Sequence, residues 1–341
     1  MHKVLIGSRS FGNIVKDGIE LLEREGCKLI KNPLGRVLKE DDLIKLVPGV
    51  DAIITGMDEI TGKVLEIAGQ LKVISKHGVG LDNIDLDTAT KNGVVVTYTP
   101  AAGEEVEAVA DFTFGLILSI ARKICSANES VKSGEWKRFI GAEIWGKVLG
   151  VIGTGSIGKA VIKRAKGFNM KVLAYDICKD QTLIDKFGVV YVTLHRLLRE
   201  SDFVTLHVPL NEVTKGLLGA KEIRLMKKTA YLINVARGGV VDEKALYTCL
   251  KDKKIAGAAL DVFSKEPPEG NPLISLDNVI TTPHMAAYTV NSIREMDILC
   301  AENTLKVLNN EKLSNQYIAN PQVYRAKTFQ RNMTDKVGGD E

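Results

Sequence analysis

The tightest constraint on how this chain can fold lies near its middle. The apolar run Val148-Leu149-Gly150-Val151-Ile152 passes directly into Gly153-Thr154-Gly155-Ser156-Ile157-Gly158 and then into the helical pattern Lys159 to Lys166. A strand, a glycine turn and a helix in that order form a cradle for a pyrophosphate. The first glycine permits the tight turn, the second lets the backbone approach the phosphates, the third lets helix and strand pack closely, and the helix N-terminus presents N–H donors. Asp176 lies 23 residues after Gly153, at the end of the next apolar strand, Lys171 to Tyr175. A carboxylate there accepts bonds from ribose hydroxyls and repels a 2′-phosphate, which favours NAD over NADP. Lys179, three residues on, weakens that exclusion.

The rest of the chain alternates in the way such a cradle requires. From Lys3 to Pro100, short strand-like runs (Val4 to Ile6, Cys27 to Ile30, Ala52 to Thr55, Val73 to Ser75, Val94 to Tyr98) are separated by helix-like stretches. This spacing predicts βαβ units and a parallel sheet. Tyr98-Thr99-Pro100 ends the region, and a long helix is predicted from Glu104 to about Ile124, opened by Glu104, Glu105 and Glu107, whose charges suit a helix N-terminus. A second alternation from Gly146 predicts strands at Val148 to Ile152, Lys171 to Tyr175, Phe203 to His207, Tyr231 to Asn234, Gly257 to Leu260 and Val279 to Thr282. Six strands is the number of a complete dinucleotide fold. The last helical pattern, Thr289 to Leu308, has nothing strand-like after it and is expected to pack back on the first region, making that region discontinuous.

Composition narrows the function. The 341 residues carry 46 basic against 42 acidic side chains, a near-balance that argues against nucleic acid as the main partner. The longest nearly unbroken apolar run, Phe112 to Ala121, is about half the ~20 residues a membrane span needs. Met-His-Lys followed by Val4 to Gly7 is too short for a signal-peptide core, so a cytoplasmic protein with no membrane partner is expected. Five scattered cysteines (Cys27, Cys125, Cys178, Cys249, Cys300) offer neither a disulfide framework nor a CxxC metal spacing and are read as reduced thiols. Gly56 to Gly62-Lys63 is not a phosphate loop of the Walker type, because Val64 stands where a Ser or Thr would reach magnesium.

Three late segments carry polar residues at predicted strand ends: Asn234-Val235-Ala236-Arg237-Gly238-Gly239, Leu260-Asp261-Val262-Phe263-Ser264-Lys265-Glu266-Pro267-Pro268 and Thr282-Pro283-His284. Ligands of open α/β sheets bind at such ends. With the glycine turn, Gly78-Val79-Gly80-Leu81-Asp82-Asn83-Ile84-Asp85 and Gly238-Gly239-Val240-Val241-Asp242-Glu243, these strings resemble the D-2-hydroxyacid dehydrogenase family over nearly the whole chain, most of all its 3-phosphoglycerate dehydrogenase branch.

The resemblance implies a catalytic set of Arg237, Glu266 and His284 and NAD as cofactor, with no metal. It implies nucleotide contacts at Thr99, Gly153, Gly155, Ser156, Ile157, Gly158, Asp176, Val208, Val235, Ala236, Asp261 and Ala287, and substrate contacts at Lys76, Val79, Gly80 and Arg237. It also implies a homodimer through the long helix from Glu104 and its neighbours, and a small 2-hydroxy or 2-keto acid as substrate. The implied fold is α/β with two doubly wound parallel-sheet domains: a Rossmann-type NAD domain (101–285) inserted into a flavodoxin-like substrate domain (1–100 and 286–320), then a polar tail (321–341).

The residue types suit the chemistry. Arginine presents a planar, always charged fork that can hold a carboxylate bidentately and polarise the adjacent C2 oxygen. Histidine can take the C2 hydroxyl proton as hydride leaves, and a glutamate on its far nitrogen fixes the tautomer and stabilises the imidazolium. His207 is read as a structural strand-end residue near the cofactor, and His2, His77 and His195 as ordinary structural residues.

On the substrate side, the branch resembled oxidises 3-phosphoglycerate to 3-phosphohydroxypyruvate in serine biosynthesis, and Lys76 matches a basic residue that helps hold the phosphate. The segment Ala101-Ala102-Gly103-Glu104-Glu105-Val106-Glu107 departs from the family pattern by its length and its acidity. Carboxylates near a phosphoester are unfavourable, so hydroxypyruvate or glyoxylate reduction is the alternative. No appended regulatory domain of the long phosphoglycerate enzymes is expected. An NAD-sensing binding protein like the related transcriptional corepressors is a further alternative, disfavoured by the intact Arg237, Glu266 and His284 set.

Overall fold

Most strands here are short apolar runs buried on both faces, the pattern imposed on a parallel sheet covered by helices on each side. The computed structural model describes residues 1–100 and 103–324. The chain divides into two units, one formed by Met1–Glu105 with the segment from Thr289 and the other by Val106–Tyr288.

The first unit runs β1 (Lys3–Ile6), α1 (Asp17–Arg24), β2 (Lys28–Lys31), α2 (Glu40–Leu46), β3 (Ala52–Thr55), α3 (Gly62–Ile67), β4 (Val73–Lys76), α4 (Leu86–Lys91) and β5 (Val95–Tyr98). Its sheet has the order β2-β1-β3-β4-β5 with every neighbouring pair parallel, the flavodoxin-like arrangement. Helix α5 (Gly103–Ala121) carries the chain across the boundary into α6 (Ile124–Lys132). The second unit continues β6 (Val148–Ile152), α7 (Ser156–Ala165), β7 (Lys171–Tyr175), α8 (Gln181–Phe187), β8 (Val190–Tyr191), α9 (Leu194–Glu200), β9 (Phe203–Leu206), α10 (Ala220–Ile223), β10 (Tyr231–Asn234), α11 (Glu243–Lys251), β11 (Gly257–Leu260) and β12 (Val279–Thr281). Its parallel sheet has the order β12-β11-β10-β9-β6-β7-β8, which is the Rossmann order with one strand added beyond the sixth. Helix α12 (Val290–Leu308) belongs to the first unit, where Cys300, Ala301, Leu305 and Leu308 share a core with Val4, Ile6 and Leu22.

Three expectations are corrected. The second sheet has seven strands, not six, because Val190–Tyr191 pairs with β7 over two residues, too short a run to register as strand periodicity. The long helix stops at Ala121, since Lys123 adopts a left-handed backbone (φ 56) that starts a new helix. The polar tail does not begin at Pro321, because Val323 is fully buried in the first unit's core. Just before it, the Asn320 carboxamide accepts from the Val96 N–H (2.8 Å) and donates to the Val94 carbonyl (2.9 Å). The remainder of the predicted tail lies outside the described residues, as do Ala101 and Ala102. Among the described residues no helix is long and apolar enough to cross a membrane.

Leu22, fully buried on α1, offers a direct measure of this core. Leu22→Ala is expected to cost about 2–5 kcal/mol, read as a lower midpoint in urea unfolding.

Candidate active site

The glycine turn after β6 is shaped by what surrounds it. Gly153 has φ +92, and a Cβ there would lie 2.5 Å from the His207 carbonyl oxygen. A Cβ on Gly158 would lie 2.1 Å from the Gly153 carbonyl oxygen, so the helix can approach the turn only without a side chain. Gly155 differs: its φ of −66 is ordinary, and a Cβ would meet no protein atom within 4 Å. Packing does not demand glycine at that position. The backbone is open at that position, and the first backbone bond of α7 is donated by Lys159, to the Gly155 carbonyl (2.9 Å), the arrangement in which a helix N-terminus can receive a phosphate.

Asp176 closes the other side of the turn. Its Oδ2 accepts from the Thr154 N–H (2.6 Å) and hydroxyl (3.0 Å), and its Oδ1 from the Cys178 N–H (2.9 Å). Burial acts to raise its pKa, but these bonds outweigh it and hold the carboxyl below the usual range. The short strand β8 serves here too, since the Tyr191 hydroxyl bonds Thr154 Oγ1 (3.0 Å) and accepts from the Asp180 N–H (3.1 Å). At the end of β9, burial lowers the His207 pKa to about 3, which makes it a neutral imidazole bonded to Thr205 Oγ1 (3.0 Å). Val208 follows it, half-buried against Gly153.

The residues expected to be catalytic are brought to the loops after β10, β11 and β12. Buried Asn234 accepts from the Ala236 N–H (3.0 Å) and donates to the Arg237 carbonyl (3.0 Å), closing the Val235–Arg237 turn. Arg237 is half-buried, and its Nη1 donates to the Ala236 carbonyl (2.7 Å). A Cβ on Gly238 would lie 1.9 Å from the Phe263 carbonyl carbon, so this turn rests directly on the backbone of the next loop. That loop is pinned by Glu243, which accepts from the Ser264 N–H (2.5 Å) and the Asn271 amide (2.7 Å).

His284 has a left-handed backbone (φ 52), and its N–H donates to the Asp261 carbonyl (2.8 Å). The Asp261 carboxylate, 1% exposed, accepts from the Thr282 hydroxyl (2.5 Å) and from the Met285 (3.0 Å) and Ala286 (2.9 Å) N–H groups. The His284 Nδ1 then lies 2.7 Å from Glu266 Oε2, while Glu266 Oε1 accepts from the Phe263 N–H (3.0 Å). Burial pushes the Glu266 carboxyl up, but the bond to His284, the Phe263 N–H and the positive field of Arg237 bring it below the usual range. Glu266 thus holds the imidazole by its Nδ1 within the field of Arg237, which leaves Nε2 as the ring nitrogen turned away from the carboxylate.

The remaining predicted residues are distributed between the two units. In the second, Val235 is buried and Ala236 and Ala287 are half-buried. Asp261 has its oxygens committed to the His284 loop, a role that its place in a strand-end motif does not reveal. In the first unit, Val79 is 38% exposed, Gly80 is half-buried, and buried Thr99 accepts the Gly78 N–H on its hydroxyl (2.9 Å). Lys76 is 4% exposed, and its ammonium donates to Asn83 Oδ1 (2.7 Å) and to the Gly56 carbonyl. Within the acidic segment Glu104 is exposed and Glu105 buried. Glu107 pairs with Arg164 (2.6 Å), which also binds Asp111 (2.6 Å).

Known proteins place this geometry in context. The model for the D-isomer specific 2-hydroxyacid dehydrogenase NAD binding domain matches residues 114–286. The D-3-phosphoglycerate dehydrogenase of Methanocaldococcus jannaschii is 43% identical over 304 residues, which are 88% of this chain and 57% of that protein, so this chain spans little more than half of that relative. The glyoxylate reductase of Korarchaeum cryptofilum is 43% identical over 277 residues, 79% of this chain and 83% of that protein. The D-lactate dehydrogenase of Aquifex aeolicus, in its complex with NAD and lactic acid, matches 93% of this chain and 99% of its own at 31% identity with a TM-score of 0.81. By these matches the chain belongs to the D-isomer specific 2-hydroxyacid dehydrogenase family and is an NAD-dependent oxidoreductase.

Proposed function

We propose that Arg237, Glu266 and His284 are the catalytic set for hydride transfer at C2 of a D-2-hydroxyacid, and that the working substrate is a small unphosphorylated acid such as hydroxypyruvate or glyoxylate. The observation that carries the catalytic reading is the 2.7 Å bond between His284 Nδ1 and a Glu266 carboxylate that also lies in the field of Arg237. Arg237 holds the substrate carboxylate and draws charge toward the C2 oxygen. His284 Nε2 gives the proton to that oxygen on reduction and takes it back on oxidation, and Glu266 keeps the proton of the other nitrogen in place while stabilising the imidazolium. When bound along the Gly153–Gly158 turn and Asp176, NAD supplies or accepts the hydride.

The substrate reading rests on Lys76. Its ammonium is held by Gly56 and Asn83, so it serves the packing of two loops, where a phosphate clamp would need it turned to a ligand. The names of the relatives divide between D-3-phosphoglycerate dehydrogenase and glyoxylate reductase. 3-Phosphoglycerate, the substrate expected from the resemblance, is the competing reading.

A second copy of the chain is the proposed partner. Trp136 (84% exposed), Ile140 (97%) and Trp145 (68%) stand exposed in the segment that follows α6, the continuation of the long helix expected to carry the interface, and clustered exposed apolar side chains mark interaction surfaces.

These readings have separate tests. His284→Asn is expected to lower kcat by roughly 10²–10⁴-fold while NADH affinity, followed by fluorescence, stays within twofold; unchanged turnover would remove His284 from the mechanism. With NADH as donor, kcat/KM is expected to be higher for hydroxypyruvate or glyoxylate than for 3-phosphohydroxypyruvate, and the reverse order restores the phosphorylated substrate. Trp136→Ser combined with Ile140→Ser is expected to convert a dimer to a monomer in sedimentation velocity; an unchanged sedimentation coefficient places the interface elsewhere.

A further inference from the structure

A second histidine, outside the catalytic set, sits in a polar chain buried in the first unit. His77 follows the last residue of β4, and its side chain is 2% exposed. Its Nε2 lies 2.7 Å from Oδ1 of Asp297 on α12, whose side chain is fully buried, and its Nδ1 lies 3.0 Å from the Ser10 hydroxyl. The Phe11 ring stands edge-on to the imidazole at 5.8 Å and 88°. Asp297 Oδ2 accepts the Gly12 N–H at 2.8 Å.

One imidazole thus joins three separate segments: the loop after β1, the loop after β4 and the C-terminal helix of the unit. Replacing a buried polar pair by apolar side chains of similar volume is often neutral or stabilising, so stability alone does not call for this one. What the pair supplies that packing cannot is a fixed direction for the backbone of His77. That backbone enters Gly78-Val79-Gly80, where Gly78 has φ +132 and two glycines make the chain intrinsically soft. On the far side the turn is held by the Gly78 N–H bond to Thr99 Oγ1.

We propose that Ser10, His77 and Asp297 form a positioning relay that sets the Gly78-Val79-Gly80 turn in the conformation that receives the substrate. The proposal rests on the reading of Val79 and Gly80 as substrate contacts. His77 touches neither substrate nor cofactor. It acts through the turn that follows it, and it governs how well the substrate is held while leaving the proton transfer at His284 alone.

The test uses the full-length protein carrying His77→Leu with Asp297→Asn, which removes the imidazole without stranding a buried charge and keeps an acceptor for the Gly12 N–H. Hydrogen–deuterium exchange without substrate is expected to be about tenfold faster at the His77–Gly80 amides and unchanged in β1 and β3. With the 2-keto acid that wild type reduces best, KM is expected to rise about tenfold while kcat stays within about twofold and NADH affinity is unchanged. Leu22→Ala, which loosens the core beneath the same helix, controls for lost stability and is expected to leave both the turn's exchange and KM as they were. Unchanged exchange in the double variant, unchanged KM despite faster exchange, or an equal effect of Leu22→Ala overturns the proposal. A wild type that reduces no 2-keto acid overturns the proposed function instead, and the exchange data still decide whether His77 holds the turn.

Discussion

A single residue, Asp261, holds the loop that carries His284 in place. A histidine with left-handed backbone carries a cost of about 1–3 kcal/mol that its surroundings must offset. Here the Asp261 carbonyl takes the His284 N–H while its side chain takes the hydroxyl of Thr282 and the N–H groups of Met285 and Ala286. Four donors from one short loop thus converge on one residue at the end of β11. With that loop fixed, the imidazole has one direction to point, and Glu266 is there. Because Glu266 receives the Phe263 N–H on its other oxygen, its own position is set by backbone and does not rely on the histidine.

The second dependence is steric. Gly238 lets the Arg237 turn lie on the Phe263–Ser264 backbone closer than any side chain would allow. Asn234 closes that turn from beneath, and Glu243 pins the loop it touches. Guanidinium, carboxylate and imidazole lie in the loops after three different strands, yet each is located by backbone contacts. Preorganisation of this kind lets charge develop on the substrate without the protein having to rearrange.

Much of this was legible in the sequence, for identifiable reasons. Strands β6, β7, β10 and β11 read true to the residue because each is a mainly apolar run ended by glycine, aspartate or asparagine. The pyrophosphate turn was legible because its glycines answer local needs, at φ +92 for Gly153 and at the helix contact of Gly158. What stayed hidden depends on distant partners. Nothing near Asp261 announces that its oxygens serve residues two dozen positions later, and His77 reads as an ordinary histidine until Asp297 is beside it. The break at Lys123 carries no glycine or proline to signal it. β8 is too short for periodicity to detect, yet its tyrosine supports the nucleotide turn.

The placement of α12 bears on how the chain comes into being. The strands of the first sheet are synthesised before the nucleotide unit, but Cys300, Leu305, Ile318 and Val323, which seal one face of that sheet, are synthesised after it. The Gly12 N–H waits 285 positions for its acceptor on Asp297. The intervening nucleotide unit has its own core within Val106–Tyr288 and can condense during elongation. The amino-terminal sheet must spend translation with an apolar face uncovered, a period in which chaperone holding or premature self-association would compete for it.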